Sequence, residues 1–454
     1  MPEHSLRSLK RNAHRRLGRW LVGVAVTLSC MCLLAVPQVG AHGIWAHVHV
    51  TGWAIEALPE GELRDFMEDD DIRNAAHFGA AFTDSGYWPQ SGELKEKGNA
   101  YSEHMHWEPF VEEFIHWIRV NDPPPWSSLE SKKRVAFLLG LASHGLQDEI
   151  FDSLFLFQVE QHDGAGQDEA DPASDGALAH AGMMRFMPTE YIPFDALLEI
   201  FQNTGIKVEA EDIQDCVNIM NFLYLNAETG QEVALSMYDE YHEQLPWSFA
   251  HFFDPNIPGS VGSEIQPTAA HIQAVWKRLH DTFEPDDTFV HAYPAANGTL
   301  LGTNHESVDS WITFIFGMGT KILGPASATL TDDAGVDVPL RTKGSRWGAD
   351  YGRLHRYMPQ EDLEPGAWYN LTVPAGMELM DGGKTTQPIE FRFRAPCDPA
   401  PCGPDEPEPT PLELDDSESS GGCQSGSENP WAPYFLFGLL AWVCRAGVLR
   451  RDLP

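Results

Sequence analysis

The chain has 454 residues, a length that suits two domains with tails. Its 67 acidic and 30 basic side chains give a formal net charge of −37, which excludes a nucleic-acid-coating protein, whose groove would be basic. Seven scattered cysteines make neither a disulfide scaffold nor a Cys-x-x-Cys zinc knuckle.

The N-terminus is basic, with Arg7, Lys10, Arg11, Arg15, Arg16 and Arg19. An apolar run from Trp20 to Val36 follows, then the small-residue site Val39-Gly40-Ala41. This order predicts a secretory signal peptide over residues 1–41 and a mature chain beginning at His42. Residues 42–284 read as helical. Apolar residues recur at helical spacing from Val48 to Leu58, through Phe110, Phe114, Trp117 and Ile118, and in four later stretches up to Leu279. The acidic, Gly- and Ala-rich stretch from Asp163 to Asp175 reads as a loop.

The centre of this region is KKRVAFLLGLASHGLQDEIFDSLFLF, Lys132 to Phe157. Val135 to Ala142 is apolar on every side, as in a helix buried all round. His144, Asp148 and Asp152 then enter at four-residue steps, which places them on one slowly drifting helix face. Charged groups on a buried helix are costly unless paired or metal-bound, and imidazole with carboxylate at this spacing suits zinc. The helix alone leaves two readings open, a metal-binding face or a helix end turning to water.

Residues 285–395 change character. The runs from Trp311 to Phe316, Tyr369 to Val373 and Ile389 to Arg394 are strand-like, with turn signals at Asp333-Ala334-Gly335 and Asp381-Gly382-Gly383. A β-sandwich is expected, resembling bacterial immunoglobulin-like modules and acting as a spacer or in adhesion. Cys397 and Cys402 are spaced to close a small loop. Residues 396–430 form an acidic Pro-, Ser- and Gly-rich linker. Residues 431–454, apolar from Trp431 to Leu449 apart from Arg445 and followed by Arg450-Arg451, are expected to be a transmembrane or sorting segment. With Gly422-Cys423 before it, that tail resembles bacterial C-terminal sorting signals.

The remaining candidate ligands are dispersed: His42 and His47, Asp84 in FTDSGYWP, His106 in HWEPF, and His180 in AHAG. Their order and surroundings, with HGIWAHVHVTGWAIEAL, VAFLLGLASHGLQD and YIPFDALLEIFQNTGIKVEAEDIQDC, resemble the zinc-dependent phospholipase C family, and most closely the N-terminal domain of glycosylphosphatidylinositol-specific phospholipase D. The resemblance covers about His42 to Asp254.

It implies an all-α fold shared with single-strand nucleases, ahead of an all-β domain, and two or three Zn2+ ions. His42 corresponds to a terminal ligand and His47 to the histidine five residues on. Asp84, His106, His144 and Asp148 correspond to one metal's set, with Asp148 bridging to a second. Asp152 and His180 fall to the remaining metal. The family has a histidine where this chain has Asp152, and a carboxylate where it has Met184; Asp171 and Asp175 are the available substitutes.

The implied activity is exported phosphodiester hydrolysis of phospholipid or phosphoinositide-type head groups by metal-activated water, with Asp84 orienting or deprotonating it. The chain is expected at the cell surface or outer membrane, attached through its C-terminal segment, with no nucleic-acid partner. The alternatives are a nuclease or other phosphodiesterase on the same fold, or a metal-stabilised surface binding protein with a decayed site.

Overall fold

The computed structural model describes residues 43–398 apart from 187, 226, 322–327 and 346–350. The expected signal peptide, His42, most of the linker and the C-terminal segment lie outside the described residues.

The helical region comprises α1 (Ile44–Glu56), α2 (Glu62–Phe66), α3 (Asp70–Phe82), α4 (Gly92–Met105), α5 (Glu108–Asn121), α6 (Leu129–Ile150), α7 (Leu156–His162), α8 (Gln167–His180), α9 (Phe194–Thr204), α10 (Ala210–Met220), α11 (Ala227–Tyr241), α12 (Pro246–His251) and α13 (Ile265–Leu279). A π-helical turn, Phe151–Phe155, joins α6 to α7. The β region comprises β1 (Phe289–Tyr293), β2 (Ile312–Lys321), β3 (Thr329–Asp332), β4 (Asp337–Val338), β5 (Leu340–Lys343), β6 (Tyr351–Pro359), β7 (Trp368–Val373) and β8 (Ile389–Arg394). These form two antiparallel sheets, ordered β1-β2-β6-β5 and β4-β3-β7-β8. Phe314 of one sheet meets Phe391 of the other with ring centroids 5.1 Å apart, within a core shared by both.

α6 is the axis of the helical region. Ser128 caps it by accepting from the Ser131 N–H, and every residue from Arg134 to Ile150 is buried. Its crossing with α3 is a backbone contact. A Cβ on Gly140 would lie 1.8 Å from the Ala76 carbonyl oxygen, and one on Gly79 would lie 2.2 Å from that of Phe137. Only the missing side chains let the two helices approach so closely, and that approach brings Asp84, just past α3, to the polar end of α6.

The second half of α6 and the π-turn have two buried faces. His144, Asp148 and Asp152 lie on one. Leu146, Ile150 and Leu154, offset by two residues and hence by about 200°, pack with Tyr293, Ile315 and Leu354 of the β region.

Two expectations need correction. The stretch from Asp163 to Asp175 is largely helix, because α8 begins at Gln167. Its buried face is Ala170, Ala173, Ala177 and Leu178, and Gly176 sits against the Tyr238 backbone of α11. Alanine and glycine allow that close packing while leaving little apolar periodicity to read. The transmembrane expectation is also overturned: among the described residues no helix is long and apolar enough to cross a membrane. The 431–454 stretch to which it was assigned lies outside them.

Candidate metal centre

Five side chains from four places in the chain converge at the buried end of α6. His47 comes from α1, Asp84 from the turn after α3, His106 from the end of α4, and His144 and Asp148 from α6. Each imidazole is held at its Nδ1. His144 donates to the Ala80 carbonyl at 2.5 Å, His106 to the Ser102 carbonyl at 2.7 Å, and His47 to Gln147 Oε1 at 3.0 Å. Gln147 is itself held, donating to Thr51 Oγ1. An acceptor at every Nδ1 fixes the tautomer that leaves Nε2 for a metal.

The Nε2 atoms face the carboxylates. His106 Nε2 is 3.2 Å from Asp84 Oδ1, 3.1 Å from Asp148 Oδ2 and 3.1 Å from His144 Nε2. His144 Nε2 is 3.6 Å from Asp84 Oδ1 and 3.3 Å from Asp148 Oδ2. A tetrahedral ion with bonds of 2.0–2.2 Å holds its ligand atoms about 3.3–3.6 Å apart. The spacing of this two-histidine, two-carboxylate set fits a divalent ion at its centre. The other oxygen of Asp148 points elsewhere: Oδ1 is 3.0 Å from His47 Nε2. Two groups of potential ligands share His144: one contains Asp84, His106 and His144, and the other His47, His144 and Asp148. Asp148 belongs to the second and faces the first through Oδ2.

The electrostatics call for positive charge. Burial opposes protonation of His106 and His144, yet Asp148 and Asp84 outweigh it. They push His106 well above its ordinary range and His144 to about 9. Burial works against the Asp148 anion, but His144 and His47 hold its pKa well below the carboxylate range. In the metal-free protein, protons on imidazole thus supply the charge that a cation would bring.

Two further buried acids lie within electrostatic reach of Asp148. Asp171 of α8 is buried, neither of its carboxylate oxygens has a hydrogen-bond partner among the described residues, and burial followed by Asp152, Asp148 and Asp84 drives its pKa well above normal. Glu264, just before α13, is fully buried and shifted the same way by burial, Asp148 and Asp152. Buried like charges persist only with a counter-ion or protons.

Of the expected ligands, the structure thus gathers His47, Asp84, His106, His144 and Asp148 in the two groups. Asp152 is buried in the π-turn on the same face but belongs to neither group. His180 is not brought to the site. It is exposed at the end of α8, with its ring stacked 3.7 Å from that of Tyr238. Asp175 accepts the Ala46 N–H at the start of α1 and belongs to neither group among the described residues. Sequence reasoning missed Glu264, which has no motif around it. The Asp171-x-x-x-Asp175 spacing was the available signal for the other acid, hidden in what read as a loop.

The chain is similar to phosphatidylinositol-glycan-specific phospholipase D. It is 29% identical to the Bos taurus protein over 259 residues, 52% of this chain and 28% of that one. The Rattus norvegicus protein matches at 29% over 264 residues, covering 54% and 29%, and the Homo sapiens protein at 29% over 250 residues, covering 51% and 28%. The match therefore spans under a third of these relatives' length, and it supports a distant phospholipase-like relationship. No family model matches the chain. Among solved structures, CopC from Methylosinus trichosporium OB3b aligns with a TM-score of 0.18 and 20% identity, over 24% of this chain and 93% of that one. Domains 1–6 of the surface layer protein SbsC align at 0.20 and 11%, over 72% and 46%. Both superpositions are too loose to carry an argument.

Proposed function

We propose that this phospholipase-like chain is an exported, zinc-dependent phosphodiester hydrolase acting on phospholipid or glycosyl-phosphoinositide head groups. The observation that carries the reading is the Asp148 carboxylate, which presents one oxygen to His106 and His144 and the other to His47. A buried carboxylate shared between two ligand groups is the arrangement of a two-metal phosphodiesterase site. The nitrogen and oxygen donors suit zinc.

When bound, the metal would supply Lewis acidity and a water of pKa near ~7. The chain's own residues do the rest. Asp84 is fully buried within 3.2 Å of His106 Nε2, which suits it to hold and deprotonate a water at the first site. Asp171, Asp152 and Glu264, buried and electrostatically coupled to one another or to Asp148, would help neutralise a further cation. α1 starts against α8, with the Gly43 N–H donating to Ser174 Oγ one turn from Asp171, which supports His42 as a terminal ligand. His106 and Asp148 are the most accessible of the five, 8% and 7% exposed, and Tyr87 lies 5.7 Å from the His106 ring. Substrate phosphate would approach on that side.

Zinc analysis and turnover test the reading together. Purified protein should contain at least two zinc ions per chain. It should hydrolyse phosphatidylinositol-glycan or phospholipid in preference to single-stranded DNA, and lose that activity on chelation. Preference for single-stranded DNA would make it a nuclease. Tight zinc without turnover on any phosphodiester would make it a binding protein.

A further inference from the structure

We infer that the β region is part of the metal centre, with Arg353 of β6 as a positioning residue for the ligands, so that β1–β8 is more than a spacer. Arg353 is fully buried, and its partners are main-chain carbonyls and the carboxylates of Glu149 and Glu108, not the ligand side chains' donor atoms. Its Nη2 donates to the main-chain carbonyl of His106 at 3.1 Å. Its Nη1 donates to the carbonyl of Ala142, two residues before His144, at 3.4 Å. Its Nε and Nη2 donate to Oε1 of Glu149, the residue after Asp148, at 2.9 and 2.8 Å, and its backbone N–H donates to Oε2 at 3.1 Å. One guanidinium from the sheet thus ties the His106 backbone to the stretch of α6 that carries His144 and Asp148, two segments that only tertiary folding brings together.

The fit is close. A Cβ on Gly145 would stand 2.3 Å from the His106 carbonyl oxygen and 3.0 Å from Arg353 Nη2. A second arginine from the same strand works on the next segment: Arg356 Nη1 donates to the Ser153 carbonyl at 3.2 Å, in the π-turn that carries Asp152. Groups that orient ligands from behind tune metal affinity, because the unbound site must already hold its donor atoms at the bonding distance. The four donations made by this planar five-donor fork exceed the three N–H donors of a lysine ammonium, which also lacks the fork's spread. This inference rests on the metal reading of the site.

The test uses the full chain and cobalt(II), whose visible bands report coordination geometry. Affinity is measured by competition with a chelator of known strength. Arg353→Lys should weaken cobalt binding by roughly 10–100-fold and alter the bands. Leu354→Ala, which loosens the packing against Leu146, Ile150 and Leu154 without touching a ligand's partners, should lower the melting temperature and leave affinity and bands unchanged.

Arg353→Lys binding as tightly as the unaltered chain with the same bands overturns the inference alone. So does a Leu354→Ala variant that loses as much affinity. If the unaltered chain binds neither cobalt nor zinc, the metal reading falls and takes this inference with it. Should Arg353→Lys fail to fold, hydrogen exchange on the unaltered chain decides. Added zinc should slow exchange across β6, including the Arg353 amide, and no change there overturns the proposal.

Discussion

Replacing Gly140 by alanine sets two effects against each other, and the geometry says which should win. Alanine in place of a mid-helix glycine stabilises a helix by about 1 kcal/mol. Here, however, the new Cβ would lie 1.8 Å from the Ala76 carbonyl oxygen, which belongs to backbone and cannot rotate away. Real contacts of this kind do not fall below 3.0 Å, so α3 and α6 must separate by about 1.2 Å. Overpacking of that order costs about 1–3 kcal/mol, which cancels or exceeds the propensity gain.

The larger consequence is at the proposed metal centre. Asp84 and the Ala80 carbonyl ride with α3, and His144 rides with α6. The Asp84–His144 spacing of 3.6 Å is already at the upper limit for a shared tetrahedral ion, so an added 1.2 Å removes Asp84 from the shell. Loss of one of four ligands should lower zinc affinity by at least a hundredfold (on the order of 3 kcal/mol). Thermal melts of Gly140→Ala with and without zinc give the readout: near-normal stability without metal, and little of the normal rise on adding it. A variant that is more stable in both states and binds zinc as tightly as the unaltered chain would refute the reasoning.

Three further outcomes follow from the same structure. His144→Ala and Asp148→Ala should each lose bound zinc and lower stability by on the order of 3–5 kcal/mol, because each leaves buried charge unmatched; elemental analysis and chemical unfolding check this. Asp171→Asn should keep or raise the stability of the metal-free protein by removing repulsion from Asp152 and Asp148, while reducing the number of zinc ions retained; a fall in metal-free stability would show the carboxylate to be satisfied in another way. His49, His77 and His355 are buried, and burial depresses them to about 4, about 3 and about 4. Since each folded value lies below the unfolded ~6.5, the unfolded state takes up protons first as pH falls. Their stability contribution is complete above pH 6.5 and is lost towards pH 4, at up to ~1.4 kcal/mol per pH unit for each histidine. Denaturant titrations between pH 7 and 4 should follow that slope, and it should be shallower in His355→Gln.

Much of the molecule was legible in the sequence because short-range periodicity encodes it. The buried run from Val135 to Ala142 and the four-residue step from His144 to Asp148 predict the central helix and the shared face of those two side chains, and α6 buries both as one continuous helix. The strands near Trp311, Tyr369 and Ile389 were equally readable. β6 was not, because it is buried on both faces from Gly352 to Pro359 and so shows no alternation. α8 was missed because its buried residues are small or acidic, with Leu178 the one large apolar side chain, and with it the placement of Asp171. His180 fitted a motif but lies exposed against Tyr238, since its place depends on where α8 ends.

What the sequence by itself determined, then, is which helix bears the donors and which residue types they are. Only the tertiary structure decided which donors meet. The glycine-to-backbone crossing of α3 and α6 sets Asp84 against His144, and Arg353, more than two hundred residues after Glu149, anchors the site from the β region. Contacts between segments so far apart leave no periodic trace along the chain, because they depend on the path of everything folded between them.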